Sequence, residues 1–203
     1  RRQRQMCIRD RGKLASEMAG SPSDSLAVFA VAGSNTQTVE QGVRDLADFL
    51  HMLGNPVGVI SAGNSQSLER FLDLNYPLSI LDVQRTMAVC AEDGAAAVIL
   101  ALSEETLNDD ALQSVNVDVL GCDDKGLSEA EIVKSVARFG CTVGKQTHIA
   151  GRTQESDALA AQATEAYGQT DSSALSLSIA MVLAAGVRKA NIKSALRVSR
   201  DLN

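Results

Sequence analysis

The sequence predicts an α/β fold: a doubly wound, mostly parallel sheet held as a single layer between helices. Short apolar runs of strand length alternate with amphipathic runs of helical period through the first two thirds of the chain, and helical patterns dominate afterwards. Composition supports this, because 45% of the 203 residues are apolar but only 3% are aromatic. A core of Ala, Val, Leu and Ile favours helices packed on a sheet over a β-sandwich.

Charge and cysteine content exclude several classes of protein. The chain carries 19 Lys and Arg against 25 Asp and Glu, a net charge of −6 with no basic stripe, so we expect neither nucleic acid nor an anionic membrane as partner. No apolar run reaches the length of a membrane span and no secretory signal is visible, which predicts a cytoplasmic protein. The four cysteines have no metal-binding or redox spacing and suit a reducing compartment.

Residues 1–25 are interpreted as an arm and a linker. Arg1–Arg11 has neither a helical nor a strand period and resembles translated sequencing-adapter text; a basic arm that binds nucleic acid is the alternative. Leaving out its five arginines and one aspartate changes the net charge from −6 to −10. Gly12–Ser25 is polar, and Gly20-Ser21-Pro22-Ser23 within it is the expected linker. The folded domain is therefore expected over residues 26–203, incomplete at its C-terminus.

The first half of this domain predicts a βαβ unit, then a helix and a third strand. Leu26–Ala32 is an apolar run that ends in a Gly33-Ser34-Asn35 turn, and apolar residues then recur at helical spacing until Gly54-Asn55-Pro56. Val57–Ser61 predicts a second, parallel strand. The other expected elements are a long loop over Ala62–Asp82, a helix over Val83–Glu92 and a strand over Ala95–Leu102.

The second half predicts a fourth strand and a growing share of helix. Ser103-Glu104-Glu105 predicts the start of a short helix, because Ser is a good N-cap and acids suit the first turn. Ser128 and Glu131 form a capping-box pattern. The other expected elements are a strand over Val115–Leu120, a helix over Ser128–Phe139, an irregular stretch with one short strand over Gly140–Arg152, and helices over Gln154–Ala166, Ser172–Ala185 and Lys189–Val198.

The turn after the first strand is the leading candidate site. A strand, a tight turn and a helix in succession direct backbone N–H groups and the positive end of the helix dipole at one point, which suits a phosphate. The predicted phosphate-binding residues are Gly33, Ser34, Asn35 and Thr38, whereas Gln37 stands where a P-loop needs lysine. A plain strand-to-helix turn is the alternative interpretation.

The residues of this turn resemble a loop of a known family. Ala30-Val31-Ala32-Gly33-Ser34-Asn35, followed by Thr38, is similar to the Gly-Ser/Thr-Asn-Gly-Lys-Thr-Thr loop of the Mur ligases, most closely the UDP-N-acetylmuramoyl-peptide synthetases. Further segments resemble the central domain of that family in the same order: Leu53–Ser61, Ala97–Leu107, Val117–Leu120 and Gly168–Val187. The resemblance covers Leu26–Val198 and implies a P-loop-like, ATP-binding domain.

This resemblance implies ATP and magnesium as cofactors, and an ADP-forming ligation of a carboxylate to an amino acid in peptidoglycan precursor synthesis. Thr36 and Gln37 replace the family's Gly-Lys pair, Ala101 replaces its metal-binding Glu, and the segment after Leu120 lacks its His-containing motif. We therefore expect a degenerate Mur-ligase-like domain with weak or no catalysis and assign no catalytic or metal-binding residue. The alternatives are a non-catalytic protein-interaction or scaffold module and a damaged fragment without function.

Other patterns predict binding sites less well. Gly140–Thr147 is almost a Walker A sequence, but its glycines are one residue too close and it follows a helix. An anion could bind to Lys145, His148 and Arg152, although a solvated loop is the preferred interpretation. Asp123-Asp124 could ligate Mg²⁺ at the end of a strand, but acidic residues are common in such turns.

Overall fold

A computed structural model describes residues 2–122, 128–144, 146–167 and 173–202. Its strands are β1 (Ala27–Ala32), β2 (Val57–Ile60), β3 (Gln66–Ser67), β4 (Arg70–Phe71), β5 (Ala97–Ala101), β6 (Val119–Cys122) and β7 (His148–Ala150). They form one sheet in the order β4-β3-β2-β5-β1-β6-β7. The neighbouring pairs from β2 to β7 are parallel, and β3 and β4 add an antiparallel hairpin beside β2. The prediction of a mostly parallel sheet is confirmed.

Helices cover both faces of the sheet. They are α1 (Arg2–Met18), α2 (Thr36–Met52), α3 (Ile80–Glu92), α4 (Glu129–Val136), α5 (Gln154–Tyr167), α6 (Ser173–Ala184) and α7 (Lys189–Leu202), with 3-10 turns at Pro22–Asp24 and Ala137–Phe139. Alternate residues of β1 enter two separate cores: Phe29 and Val31 pack with α2, α5 and α6, whereas Val28 and Ala30 pack with α3 and α4. The sheet is thus a single layer between helices, as predicted.

The contact between β1 and α2 positions the candidate turn. Val39, Val43 and Leu46 recur at helical spacing on α2 and are all buried against the sheet. Full burial of each such side chain contributes about 1.5–3 kcal/mol, so this face fixes the helix on the strand. A Cβ on Gly42 would lie 3.2 Å from Val31 Cγ1, so the absence of a side chain at Gly42 allows the close approach.

The N-terminal region differs from the expected arm and linker, because residues 2–18 form α1. Gly12, Ala15 and Ser16 are buried and α1 packs against α3, whereas the expected linker Gly20-Ser21-Pro22-Ser23 leads into the 3-10 turn at Pro22–Asp24. A Cβ on Gly12 would lie only 2.5 Å from Gln113 Cβ. The buried face consists of small residues three and four positions apart, which a search for large apolar residues misses. The adapter origin of residues 1–11 stays a hypothesis.

Two loop predictions also need correction. Ala62–Asp82 is not a plain loop, because it contains β3, β4 and the start of α3, where Ser79 is an N-cap in a capping box with Asp82. The short helix predicted from Ser103 does not form. Instead, the Thr106 N–H donates to Ser103 Oγ at 3.2 Å, and the Thr106 carbonyl accepts from Leu78 N at 2.8 Å. A hydrogen bond to a distant segment therefore replaces the next helical turn.

Other elements form close to their predicted positions. The capping box of Ser128 and Glu131 is present at the start of α4. The fourth strand, β6, begins at Val119 rather than at Val115, because the residues before it form turns and one isolated bridge at Asn116. The short strand expected within Gly140–Arg152 is β7.

Candidate functional site

The turn after β1 brings the four predicted phosphate-binding residues together at the carboxyl end of a central strand. Gly33 is half-buried, and a Cβ there would lie 3.2 Å from Val39 Cγ2. Asn35 is the N-cap of α2, and its side-chain oxygen accepts a hydrogen bond from Gln37 N at 2.9 Å. Ser34 and Thr38 are exposed beside it. Phosphate binding by these residues stays a prediction.

The chain connections open a crevice at the carboxyl end of β1. The helix that follows β1 packs on one face of the sheet, whereas the segment that follows the neighbouring strand β5 packs on the other. Connections that leave adjacent parallel strands towards opposite faces open a crevice between them, and ligands of open α/β sheets bind there. The Gly33-Ser34-Asn35 turn lies at this switch point.

The charged groups that would neutralise a phosphate are missing from the turn. Gln37 is exposed and uncharged, and its N–H already donates to the Asn35 side chain. Ala101, in the adjacent strand β5, is fully buried in the core beneath α2. The turn therefore offers a helix N-terminus and two exposed hydroxyls, but one amide donor is occupied and no cationic side chain is supplied by its own residues.

A second polar cluster lies close by, where the chain leaves β2. Ser61 N donates to Ser65 Oγ at 2.9 Å, and Ser65 Oγ donates back to the Ser61 carbonyl at 3.1 Å. The Tyr76 hydroxyl donates to Ser65 Oγ. The loop is tied to the residues after β5 because Ala62 N donates to Thr106 Oγ1 at 3.1 Å. Sequence reasoning missed this cluster.

Glu40 is the charged member of this cluster. It is only 9% exposed, and its Oε2 atom accepts a hydrogen bond from the Ser61 hydroxyl. A Cβ on Gly63 would lie 2.3 Å from Oε2, so the loop backbone packs directly on the carboxylate. The other oxygen, Oε1, is buried without a hydrogen-bond partner among the described residues. The sequence does contain a signal for it, because Glu40 shares the buried face of α2 with Val43 and Ala47.

The cluster raises the pKa of one titratable side chain, that of Tyr76. Burial raises the pKa of the Tyr76 hydroxyl above its ordinary value, and the nearby Glu40 charge raises it further. The hydrogen bond with Ser65 opposes these two effects. The Tyr76 hydroxyl is therefore a neutral hydrogen-bond donor at pH 7.

Of the residues predicted as an alternative anion site, the two described ones, His148 and Arg152, are not brought together. His148 is the first residue of β7 and is exposed, whereas Arg152 follows the other end of that strand. Arg152 donates to Asp157 Oδ1 at 2.9 Å, and the Ser176 hydroxyl donates to the same oxygen at 2.6 Å. Lys145 and Asp123-Asp124 lie outside the described residues.

The Walker-like segment has an ordinary structural role. Gly140 caps the preceding 3-10 turn with a φ of 76°, a value that L side chains rarely adopt. Thr147 Oγ1 accepts from Gly144 N at 3.0 Å and donates to the Val117 carbonyl at 2.7 Å. Because Thr147 precedes β7, this loop lies at the amino edge of the sheet, opposite the candidate turn.

Three described cavities lie away from the turn. The largest, about 880 Å³, lies at the amino end of β2 and is lined by residues that include His51, Arg70 and Asp93. Another of about 480 Å³ lies at the amino ends of β1 and β6, and a third of about 680 Å³ lies between α1 and α4. Arg70 and Asp93 in the first cavity form an ion pair at 2.6 Å, so these charges are already partnered.

Tests for two other kinds of site are negative. Across the described ranges, no three His, Cys, Asp or Glu side chains come together in a way that would hold a metal ion. None of the helices in those ranges combines the length and apolar character that a membrane span requires.

Comparisons with known proteins do not identify a family for this chain, so a functional proposal depends on the chemistry of the site. No protein-family model matches this chain, and no curated protein matches its sequence.

Proposed function

We propose that the chain is a Mur-ligase-like central domain that binds a nucleotide at the carboxyl edge of its sheet and does not catalyse amide ligation by itself. The observation that carries this proposal is the position of the Gly33-Ser34-Asn35 turn at the end of a central parallel strand, at the switch point of the sheet. Open α/β sheets bind nucleotides at this position because helix N-termini attract phosphates there.

The loss of catalysis follows from charge. Phosphoryl transfer depends on cations that stabilise the charge developing on the transferred group, and removal of one such contact costs roughly 3–4 kcal/mol. Gln37 supplies no positive charge, and Ala101 supplies no carboxylate for a metal ion. In this proposal the Gly33 backbone and the Ser34 and Thr38 hydroxyls contact the phosphates. That set is enough for weak binding but not for turnover.

Calorimetric titration of the full chain with Mg-ATP and Mg-ADP tests the binding. We expect a Kd of about 0.1–1 mM, which corresponds to roughly 4–5.5 kcal/mol of binding free energy. A parallel assay with a muramoyl-peptide acceptor and an amino acid should release no ADP above the blank. Turnover by the wild-type chain would refute the non-catalytic proposal, and a Kd above 10 mM for both nucleotides would refute nucleotide binding.

Restoring the charge sharpens this test. Gln37→Lys places a cation on the exposed first turn of α2 and should tighten nucleotide binding at least tenfold. Gln41→Lys is the matched control, because Gln41 is also exposed and lies on the same helix one turn further on. Ala101→Glu is not a suitable addition, because Ala101 is fully buried beneath α2 and a carboxylate there would be an unpaired charge in the core. Equal affinities for wild type, Gln37→Lys and the control would contradict a phosphate site at the turn.

A non-catalytic protein-interaction module is the second candidate, favoured by exposed apolar side chains. Leu14 and Met18 lie one helical turn apart on α1 and are both exposed, and Phe71 is 74% exposed on the edge strand β4. Size-exclusion chromatography with light scattering tests self-association. A dimer that Met18→Glu or Phe71→Glu dissociates supports this function, and a monomer at all concentrations counts against self-association.

A further inference from the structure

In the part of the chain that the structure describes, one oxygen of the Glu40 carboxylate has a hydrogen-bond partner and the other has none. Oε2 accepts from the Ser61 hydroxyl, whereas Oε1 is buried without a hydrogen-bond partner among the described residues. Buried polar atoms in folded proteins are nearly always satisfied, and an exception points to an ion or a water that belongs there. An unpaired buried charge is still more costly than an unpaired dipole.

The surroundings of Glu40 narrow the choice between an ion and a water. Among the described residues, the Ser61 hydroxyl donates to this carboxylate, the Gly63 backbone lies beside it, and the nearby Tyr76 is neutral. A water would complete the hydrogen bonding of Oε1 but would leave the negative charge unbalanced. A cation would do both.

We propose that Glu40 Oε1 is a protein ligand for a divalent cation, and that this cation accompanies the phosphates of a nucleotide at the Gly33-Ser34-Asn35 turn. The inference rests on the proposed function. Mg²⁺ is commonly held by one or two carboxylates, with substrate phosphates and water completing its shell, so a single carboxylate is sufficient. The cation would also supply the positive charge that Gln37 does not.

The position of Glu40 in α2 agrees with this role. Glu40 lies four residues after Thr36, the first residue of the helix, which is about 6 Å along the axis. The carboxylate meets Ser61 and Gly63, which follow β2 and lie at the same carboxyl edge of the sheet as the turn. Its partner Ser61 follows β2, two strands from β1, a lateral separation of about 10 Å at normal strand spacing.

Titration with Mn²⁺, followed by electron paramagnetic resonance, tests the cation site directly. The full chain is titrated with Mn²⁺ alone and with Mn²⁺ in the presence of ADP, as wild type, Glu40→Gln and Asp48→Asn. Glu40→Gln keeps the shape and an acceptor for Ser61 but removes the charge, and its thermal melt verifies folding. Asp48→Asn is the matched control, because Asp48 is an exposed acidic residue of the same helix, about two turns after Glu40.

We expect wild type and Asp48→Asn to bind Mn²⁺ with equal affinity, more tightly with ADP, and Glu40→Gln to bind it at least tenfold more weakly. Equal Mn²⁺ affinities in wild type and Glu40→Gln would overturn the inference. The affinity for ADP in the presence of EDTA measures nucleotide binding at the turn without a metal ion. It therefore distinguishes failure of the cation site from failure of the proposed nucleotide site. Glu40-dependent binding of Mn²⁺ alone supports the cation site whether or not ADP binds.

Discussion

The two edges of the parallel sheet hold their charged groups in different ways. At the carboxyl edge, Glu40 is buried beneath the loop that follows β2, with neutral hydroxyl partners. At the amino edge, Arg70 and Asp93 pair in the wall of the 880 Å³ cavity, where their side chains are 60% and 33% exposed. The largest of the three described cavities therefore holds solvated charges, whereas Glu40, which lacks a partner for one oxygen among the described residues, lies in tightly packed structure. Cavity size alone does not locate a candidate site.

The largest expected difference between the edges is in the loss of stability when a glycine is replaced by alanine. Gly63→Ala places a Cβ against the end of the Glu40 side chain, which would have to shift and strain its hydrogen bond from Ser61, and should lower the free energy of unfolding by about 2–3 kcal/mol. Gly144→Ala, in the exposed loop before β7, meets no atom within 4 Å and should cost nothing measurable. Urea denaturation of both variants checks this, and equal losses would show that the loop after β2 is not tightly packed.

Removal of a serine hydroxyl should have the next largest effect. Ser61→Ala leaves both oxygens of a buried carboxylate unpartnered and should cost about 2 kcal/mol of unfolding free energy. Ser67→Ala removes a hydrogen bond to Asp93, but that carboxylate keeps Arg70 and contact with solvent, so the loss should be clearly smaller. Chemical denaturation at pH 7 compares the two. A larger loss for Ser67→Ala would reverse the proposed ranking of the edges.

The smallest effect expected is a pH dependence at the amino edge. The hydrogen bond from Ser67, and then the Arg70 guanidinium, hold the pKa of Asp93 below its ordinary value. A lowered carboxylate pKa stabilises the fold above the pKa of the unfolded chain, about 3.9, and this contribution is lost as the pH falls through the lower folded-state value.

Denaturation of wild type and Asp93→Asn at pH 6 and pH 3 measures this contribution. Wild type should be the more stable at pH 6, and the difference should shrink at pH 3. High salt should reduce only the part that comes from Arg70, because a hydrogen bond is screened less than an exposed ion pair. A difference that does not change with pH would mean that Asp93 has the same pKa in the folded and unfolded states.

The sheet and most helices were predictable because their signals are local. The apolar run before Gly33 and the capping box at Ser128 each depend on residues within one or two turns. α1 was missed because its buried face uses the small residues Gly12, Ala15 and Ser16. The absence of a side chain at Gly12 matters only because Gln113, about a hundred positions away in the chain, packs against it. The turn at Ser103 was missed because its partner is Leu78.

The candidate site also has one part that was predictable from the sequence and one part that was not. The turn at Gly33 could be located from sequence because strand, glycine and helix are consecutive. The Glu40 cluster could not, because Ser61, Tyr76 and Thr106 come from separate loops and meet only when the sheet is assembled. An acidic residue at an apolar position of α2 was the one local signal for this cluster, and the spacing by itself does not identify its partners.

The β3–β4 hairpin has a consequence for the behaviour of the protein at high concentration. Each of its strands is only two residues long, and Arg70 lies on the outer one. A short, charged border offers little backbone to which another chain could add a strand, and natural sheets use such borders against edge-to-edge association. On the β2 side, the sheet is therefore protected from growing into fibrils by strand addition.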